Sequence, residues 1–146
     1  MARVIEKSVD IDADAATVWR VLSNLEGFHA WNPFMTTASG ELKVGARPKI
    51  TMTLPDAKPM SFSPKVLEVV DNSKVRWLGK VGIRGLFDGE HTLSIEPRAG
   101  GGVRFVNHEK FGGLLVPFMG KTLQKAEGAF DAMNQALKAR AEQASS

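Results

Sequence analysis

Three polar residues, His91, Asn107 and Glu109, stand in two strand-like stretches at positions where every alternate residue is otherwise apolar or glycine. In FDGEHTLSI that parity holds Phe87, Gly89, His91, Leu93 and Ile95, and in VRFVNHEKF it holds Val103, Phe105, Asn107, Glu109 and Phe111. Alternate residues of a strand project to opposite faces, so the three polar groups share the greasy side. Pairing Ile95 with Val103 across Gly100-Gly101-Gly102 sets His91 opposite Asn107 and Gly89 opposite Glu109, which gathers them into one patch. A carboxylate buried without partners is costly or takes up a proton, so such a patch calls for water, a hydrogen-bond network or a ligand. A desolvated glutamate suits general acid–base work near neutral pH, and Glu109 and His91 are the candidates for moving a proton. A structural reading stands beside this one: Glu109 accepts from a tryptophan indole or from backbone N–H groups at the start of the last helix, and Asn107 satisfies a bulge. A one-residue bulge would turn His108 and Lys110 inward instead.

Other chemistries lack their residues. With no cysteine there is no thiol nucleophile, thiolate metal site or disulfide. The histidines His29, His91 and His108 have no metal-binding spacing, and there are no paired carboxylates, no Ser-His-Asp set and no phosphate loop, so no metal or other cofactor is expected. His29 reads as a half-exposed turn residue. The net charge of +3 is concentrated in residues 41–84, with nine Lys or Arg against four Asp or Glu. These cations are scattered singly along strand-like alternation, which fits a solvated outer sheet face better than a nucleic-acid surface. No window approaches the roughly 18 apolar residues of a membrane span, and the first ten residues lack the apolar core of a secretory signal, so a cytoplasmic location is expected.

The elements that must position the patch follow from periodicity. A chain of 146 residues, 43% hydrophobic, is expected to form one domain over 1–146 with a real core. Val4 to Ile11 reads as a strand; Asp12 or Asp14 caps a short helix carrying Val18, Val21, Leu22 and Leu25. A second short helix or turn, LEGFHAWNP, ends at Pro33, which holds Asn32 out of the helical region. Strands are then expected at about 35–43, 47–54, 60–70, 73–79, 87–96 and 102–111, joined at Val44-Gly45, Pro55-Asp56, Asp71-Asn72 and the triple glycine. From about Gly113 to Ala139 apolar residues recur three or four apart, among them Leu114, Leu115, Phe118, Met119, Leu123, Phe130, Met133 and Leu137, with Asn134 assigned to the polar face. Such a helix would span roughly 40 Å. Short turns between consecutive strands mean an antiparallel sheet, so the helices lie on one face and the sheet wraps the long helix. The expected fold is α+β, a seven-stranded curved antiparallel sheet around a C-terminal helix, with two short helices between the first two strands.

The inward parity also names the residues of a cavity wall. Met52, Phe62, Trp77, Phe87, Leu93, Phe105 and Phe111 are expected from the strands, joined by Trp31 and by Met119 and Phe130 from the helix. Trp19, Trp31 and Trp77 serve a core more often than a binding platform. Met35, Met52, Met60, Met119 and Met133 are soft groups able to line a pocket of variable contents or to fill gaps in a solid core. The segment from Gly79 to Gly89, with Gly82 and Gly85 between, reads as a lid or as an ordinary hairpin loop.

The stretch IDADAATVWRVLSNLEGFHAWNP, with Val18-Trp19 and Trp31-Asn32-Pro33, resembles the opening signature of the START-like, helix-grip superfamily. It is more closely similar to the SRPBCC group of polyketide cyclase/dehydrase-like and lipid-transport-like proteins, and GELKVGARPKI, VRWLG, HTLSIEP and VNHEKFGGLL follow in the matching order. The resemblance implies a cavity between sheet and long helix that holds lipids, sterols, hormones or aromatic polyketides. It carries no shared catalytic residues, although Glu109 and Phe111 look like a group feature. Three functions stand open: binding of a small hydrophobic or aromatic molecule with its polar end near His91, Asn107 and Glu109; a cyclase, dehydratase or aromatase using Glu109 or His91; and a co-chaperone or coenzyme-delivery type interaction module using the basic 41–84 region. Whether the chain is a monomer or a dimer stays open.

Overall fold

The computed structural model describes residues 2–81 and 85–145. Strand β1 (Ala2–Ile11) leads to helix α1 (Ala15–Ser23), whose first turn is capped by Asp14 accepting from the Thr17 N–H at 2.8 Å. A 3-10 turn over Leu25–Ala30 follows. The Asn32 side chain then organises the chain's exit, its Oδ1 accepting from the N–H groups of Phe34 at 3.0 Å and Met35 at 2.9 Å, which accounts for a buried asparagine beside Pro33.

Eight strands form among the described residues, with β2 at Met35–Ser39, β3 at Lys49–Met52, β4 at Met60–Phe62, β5 at Lys65–Val70, β6 at Lys74–Val81, β7 at Phe87–Pro97 and β8 at Val103–Gly112. They make a five-stranded sheet in the order β1-β8-β7-β6-β5 and a three-stranded sheet β2-β3-β4, all antiparallel. The stretch expected as one strand over 60–70 is two, because the chain changes sheet at Ser63-Pro64: β4 pairs with β3 and β5 with β6. Proline cannot donate to a ladder, so the break falls at Pro64. The seven-stranded wrap expected from the sequence is thus eight strands in two sheets, with the antiparallel α+β class unchanged.

The long helix α2 runs from Gly120 to Ser145. It starts later than its apolar spacing suggests, for a backbone reason. The N–H groups of Leu114 and Leu115 donate to the carbonyls of Gly85 and Leu86, at 3.1 and 2.9 Å, rather than entering a helix. Gly113, at φ 115°, makes that docking possible, and Pro117 sits in a 3-10 turn over Val116–Phe118. Leu114 and Phe118, expected on the buried stripe, are 77% and 81% exposed. From Leu123 onward the stripe behaves as its spacing demands, and Leu123, Phe130, Met133 and Leu137 are buried with Ile5, Ile11, Trp77 and Phe105. Ties between β1 and α2 fix the helix along the sheet: Lys7 pairs with Asp131 at 3.7 Å, Lys138 Nζ donates to the Asp10 carbonyl at 2.9 Å, and the Asp12 N–H donates to Glu142 at 2.8 Å.

Among the described residues no helix is long and apolar enough to cross a membrane. The cations of the basic 41–84 region include Lys74 and Arg76 on the outer face of β6, which pair with Glu68 and Glu90.

Candidate functional site

The site grows out of the β7–β8 hairpin. Its turn closes over 98–102 with Gly100, Gly101 and Gly102 all at positive φ, and Pro97 pairs with Val103. This is a tighter hairpin than the expected pairing of Ile95 with Val103, and the register moves by two residues. A two-residue slip preserves parity, so the inward residues are as expected but their partners change. His91 faces Glu109, Leu93 faces Asn107 and Gly89 faces Phe111.

One hydrogen-bonded line runs from helix to sheet. Asn107 Nδ2 donates to Asn134 Oδ1 at 3.2 Å and approaches Met133 Sδ at 3.6 Å. Asn107 Oδ1 lies 2.6 Å from His91 Nε2, and His91 Nδ1 lies 3.3 Å from Glu109 Oε1. An amide oxygen only accepts, so His91 carries its proton on Nε2 and presents a lone pair at Nδ1. Burial pushes His91 down to about 4, against the Asn107 hydrogen bond, which acts to raise it, while His108 lowers it further. Burial likewise pushes Glu109 up to about 8. At neutral pH the imidazole is therefore uncharged and the carboxyl protonated, and the 3.3 Å approach is a neutral contact rather than an ion pair. Among the described residues neither a tryptophan indole nor the start of α2 holds Glu109; its partner is His91. The imidazole itself is clamped, stacked on Phe130 with centroids 5.1 Å apart and edge-on to Trp77 at 5.8 Å.

Beside this line lies a cavity of about 450 Å³ between the two sheets and the first half of α2. Of the residues expected to line it, Met52, Phe62, Phe87, His91, Glu109, Phe111, Met119 and Phe130 do so. Trp77, Leu93, Phe105 and Asn107 are buried behind the wall, with Asn107 acting on the cavity only through His91. Trp31 packs edge-on against Phe28 and lies off the cavity. The wall also contains Phe34, Leu54, Met60, Leu115, Thr122, Leu123 and Ala126, with Ser61 and Lys80 toward one side. Glu109 keeps 14% of its side chain exposed, enough for one carboxyl edge to meet a guest. Met35 and Met133 belong to the solid core, while Met52, Met60 and Met119 line the hollow.

Gly79 and Gly89, which bound the segment expected as a lid or an ordinary hairpin loop, are ladder partners in β6 and β7. A Cβ at Gly89 would collide with Glu109 Oε2, and one at Gly79 would press on the Phe62 ring at 3.2 Å. Their lack of side chains makes room for the carboxyl and for an aromatic ring of the wall. Gly82 lies outside the described residues. Asn134, assigned from the sequence to the polar face of the helix, is buried at the end of the hydrogen-bonded line. Its position four after Phe130 and three before Leu137 was the available signal, because those spacings place it on the apolar stripe.

No curated protein is similar enough to match the chain. Among solved structures, a START superfamily protein from Mycobacterium smegmatis superposes with TM-score 0.76 at 19% identity, covering 97% of this chain and 98% of that one. A norcoclaurine synthase point mutant from Thalictrum flavum, in complex with a transition-state analogue, superposes with TM-score 0.75 at 16% identity, covering 100% of this chain and 98% of that one. The di-domain ARO/CYC StfQ of the steffimycin biosynthetic pathway gives TM-score 0.76 at 14% identity over 99% of this chain and 52% of that one. These likenesses establish the START-like, helix-grip fold. The family described as "Polyketide cyclase / dehydrase and lipid transport" matches residues 2–142, so nearly the entire chain is covered, and the protein belongs to that family.

Proposed function

We propose that the chain, working as one domain over residues 1–146, binds a small, mainly apolar or aromatic molecule of lipid or polyketide character in the cavity between the sheets and α2. The observation that carries this reading is a hollow of about 450 Å³ walled by aromatic, leucine and methionine side chains, with Glu109 and His91 forming a polar spot. Such a volume suits a drug-sized guest, and a few polar groups on an apolar wall orient rather than merely hold it. The protonated Glu109 carboxyl offers both a donor and an acceptor to a carbonyl or hydroxyl at the ligand's polar end. Tryptophan fluorescence tests it, since Trp77 touches His91 directly behind the wall. Saturable quenching by members of a lipid and aromatic polyketide panel is expected; silence across the panel at high micromolar ligand would reject it.

One observation favours a second reading, in which the guest is also a substrate. Glu109 is pushed up to about 8 and lies beside an uncharged imidazole, so it can give a proton to a cavity-bound carbonyl oxygen or leaving hydroxyl near neutral pH. That chemistry matches a cyclase, dehydratase or aromatase, in keeping with the cyclase and dehydrase half of the family's description and with the ARO/CYC and synthase among the structural neighbours. Glu109→Gln would then abolish turnover and leave binding intact, while an unchanged rate would remove Glu109 from the chemistry.

A further inference from the structure

Adjoining the cavity, and sharing Ser61, Phe62 and Lys80 with it, lies a second hollow of about 410 Å³ whose wall carries three cations. Arg47, Lys65 and Lys80 converge on it, with Ser63 beside them and Asp88 as the one opposing charge. Among the described residues none of the three cations has an ion-pair partner. Asp88 Oδ2 accepts from the Gly85 N–H at 2.9 Å, while its Oδ1 is buried without a hydrogen-bond partner among the described residues, so this carboxylate offsets only part of the cationic charge.

The topology explains why an opening exists here. Pairing of β5 with β6 ends at Lys65 and Leu78, so among the described residues β6 runs on from Gly79 with no strand beside it on that edge. The edge is covered instead by β4 of the other sheet, through the Phe62 ring resting where Gly79 has no side chain. Ser61, Phe62 and Lys80 line both hollows, so the apolar cavity and the basic groove adjoin at these residues.

We infer that the basic groove holds an oxyanion, a carboxylate, sulfonate or phosphate, carried by the molecule whose apolar body occupies the cavity; this rests on the cavity-binding reading above. The cavity ligand is thus an amphipathic acid, threaded past Phe62. Unpaired cations around a groove of that size attract an anion without having to break existing pairs. Because Arg47, Lys65 and Lys80 are exposed, the attraction is screened by salt and its contribution is modest.

The test compares two fluorescent probes with one skeleton, the anionic 1-anilinonaphthalene-8-sulfonate and the uncharged N-phenyl-1-naphthylamine. At low salt the wild-type chain is expected to bind the sulfonate about ten-fold more tightly, about 1.4 kcal/mol. Arg47→Glu with Lys65→Glu, both at exposed positions that do not line the apolar cavity, should erase that preference and leave the uncharged probe's affinity as it was. Equal affinities in the wild type, or a preference that survives the double charge reversal, overturns the inference while leaving the cavity reading standing. Failure of both probes to bind overturns the two together. Inorganic phosphate separates a free anion from a tethered one: thermal stabilisation by phosphate alone, without any gap between the probes, would assign the groove to a free oxyanion and overturn the amphipathic ligand.

Discussion

At the scale of single residues, Glu109 and His91 make opposite demands on pH. Glu109, raised from 4.5 to about 8, is proton-bound in the folded chain, so its contribution to stability is complete below 4.5 and is lost as pH rises through 8. His91, lowered from 6.5 to about 4, contributes above 6.5 and loses that contribution as pH falls toward 4. The two slopes oppose each other between 4.5 and 6.5, and only the Glu109 slope acts from 6.5 to 8. Urea unfolding should therefore show stability falling by about 2 kcal/mol over that upper interval, and Glu109→Gln should flatten it. An unchanged slope in the variant would mean that the carboxyl is not buried in its neutral form. Asn107→Leu should cost about 2 to 3 kcal/mol, because it leaves the buried His91 Nε2–H without an acceptor. Asn134→Leu should cost less: it takes the Oδ1 acceptor from Asn107 Nδ2, but Met133 Sδ still lies 3.6 Å from that nitrogen, and Asn134 Nδ2 has no partner among the described residues to lose. Equal costs at the two positions would contradict the direction of the line. The types and inward orientation of His91, Asn107 and Glu109 were legible from period-two parity. Which of them touch was not, because a hairpin register depends on how tightly the triple glycine folds, and a slip of two residues leaves the pattern unchanged.

At the scale of elements, the glycines of β6 and β7 show how one strand position serves another. Gly89→Ala should destabilise by about 1 to 3 kcal/mol, since its methyl enters the space of the Glu109 carboxyl. Combined with Glu109→Ala, which empties that space, the cost should shrink by about 1 kcal/mol or more in a double-mutant cycle. Strict additivity would deny the contact. From sequence the two glycines sit where expected strands meet a segment that reads as a lid or a hairpin loop, and glycine in a strand and glycine in a loop look alike until pairing is known. The same lack of tertiary information misplaced the start of α2. The apolar spacing of Leu114, Leu115 and Phe118 is helical, but the carbonyls of Gly85 and Leu86 take the N–H groups that a helix would have used. The α1 cap, the sheet-facing half of α2 and the β7 and β8 strands were readable because caps, stripes and alternation are local.

At the scale of the whole molecule, two sheets and one helix do not close on each other completely. The division at Pro64 puts β4 and β5 in different sheets, and the space left between those sheets and α2 is the cavity. The helix-grip class was legible from element order, whereas the two-sheet division and the hollow beside it arise from pairings distant in sequence. The measurement that bears most directly on the cavity's occupancy is titration of N-phenyl-1-naphthylamine into the wild-type chain and into Thr122→Phe, which adds a ring at a half-exposed position of the lining. The wild type should saturate at one probe per chain, and the folded variant should bind at least about ten-fold more weakly, a difference of about 1.4 kcal/mol. Equal affinity in the two proteins, or no saturable binding to the wild type, would contradict a guest molecule held in this cavity.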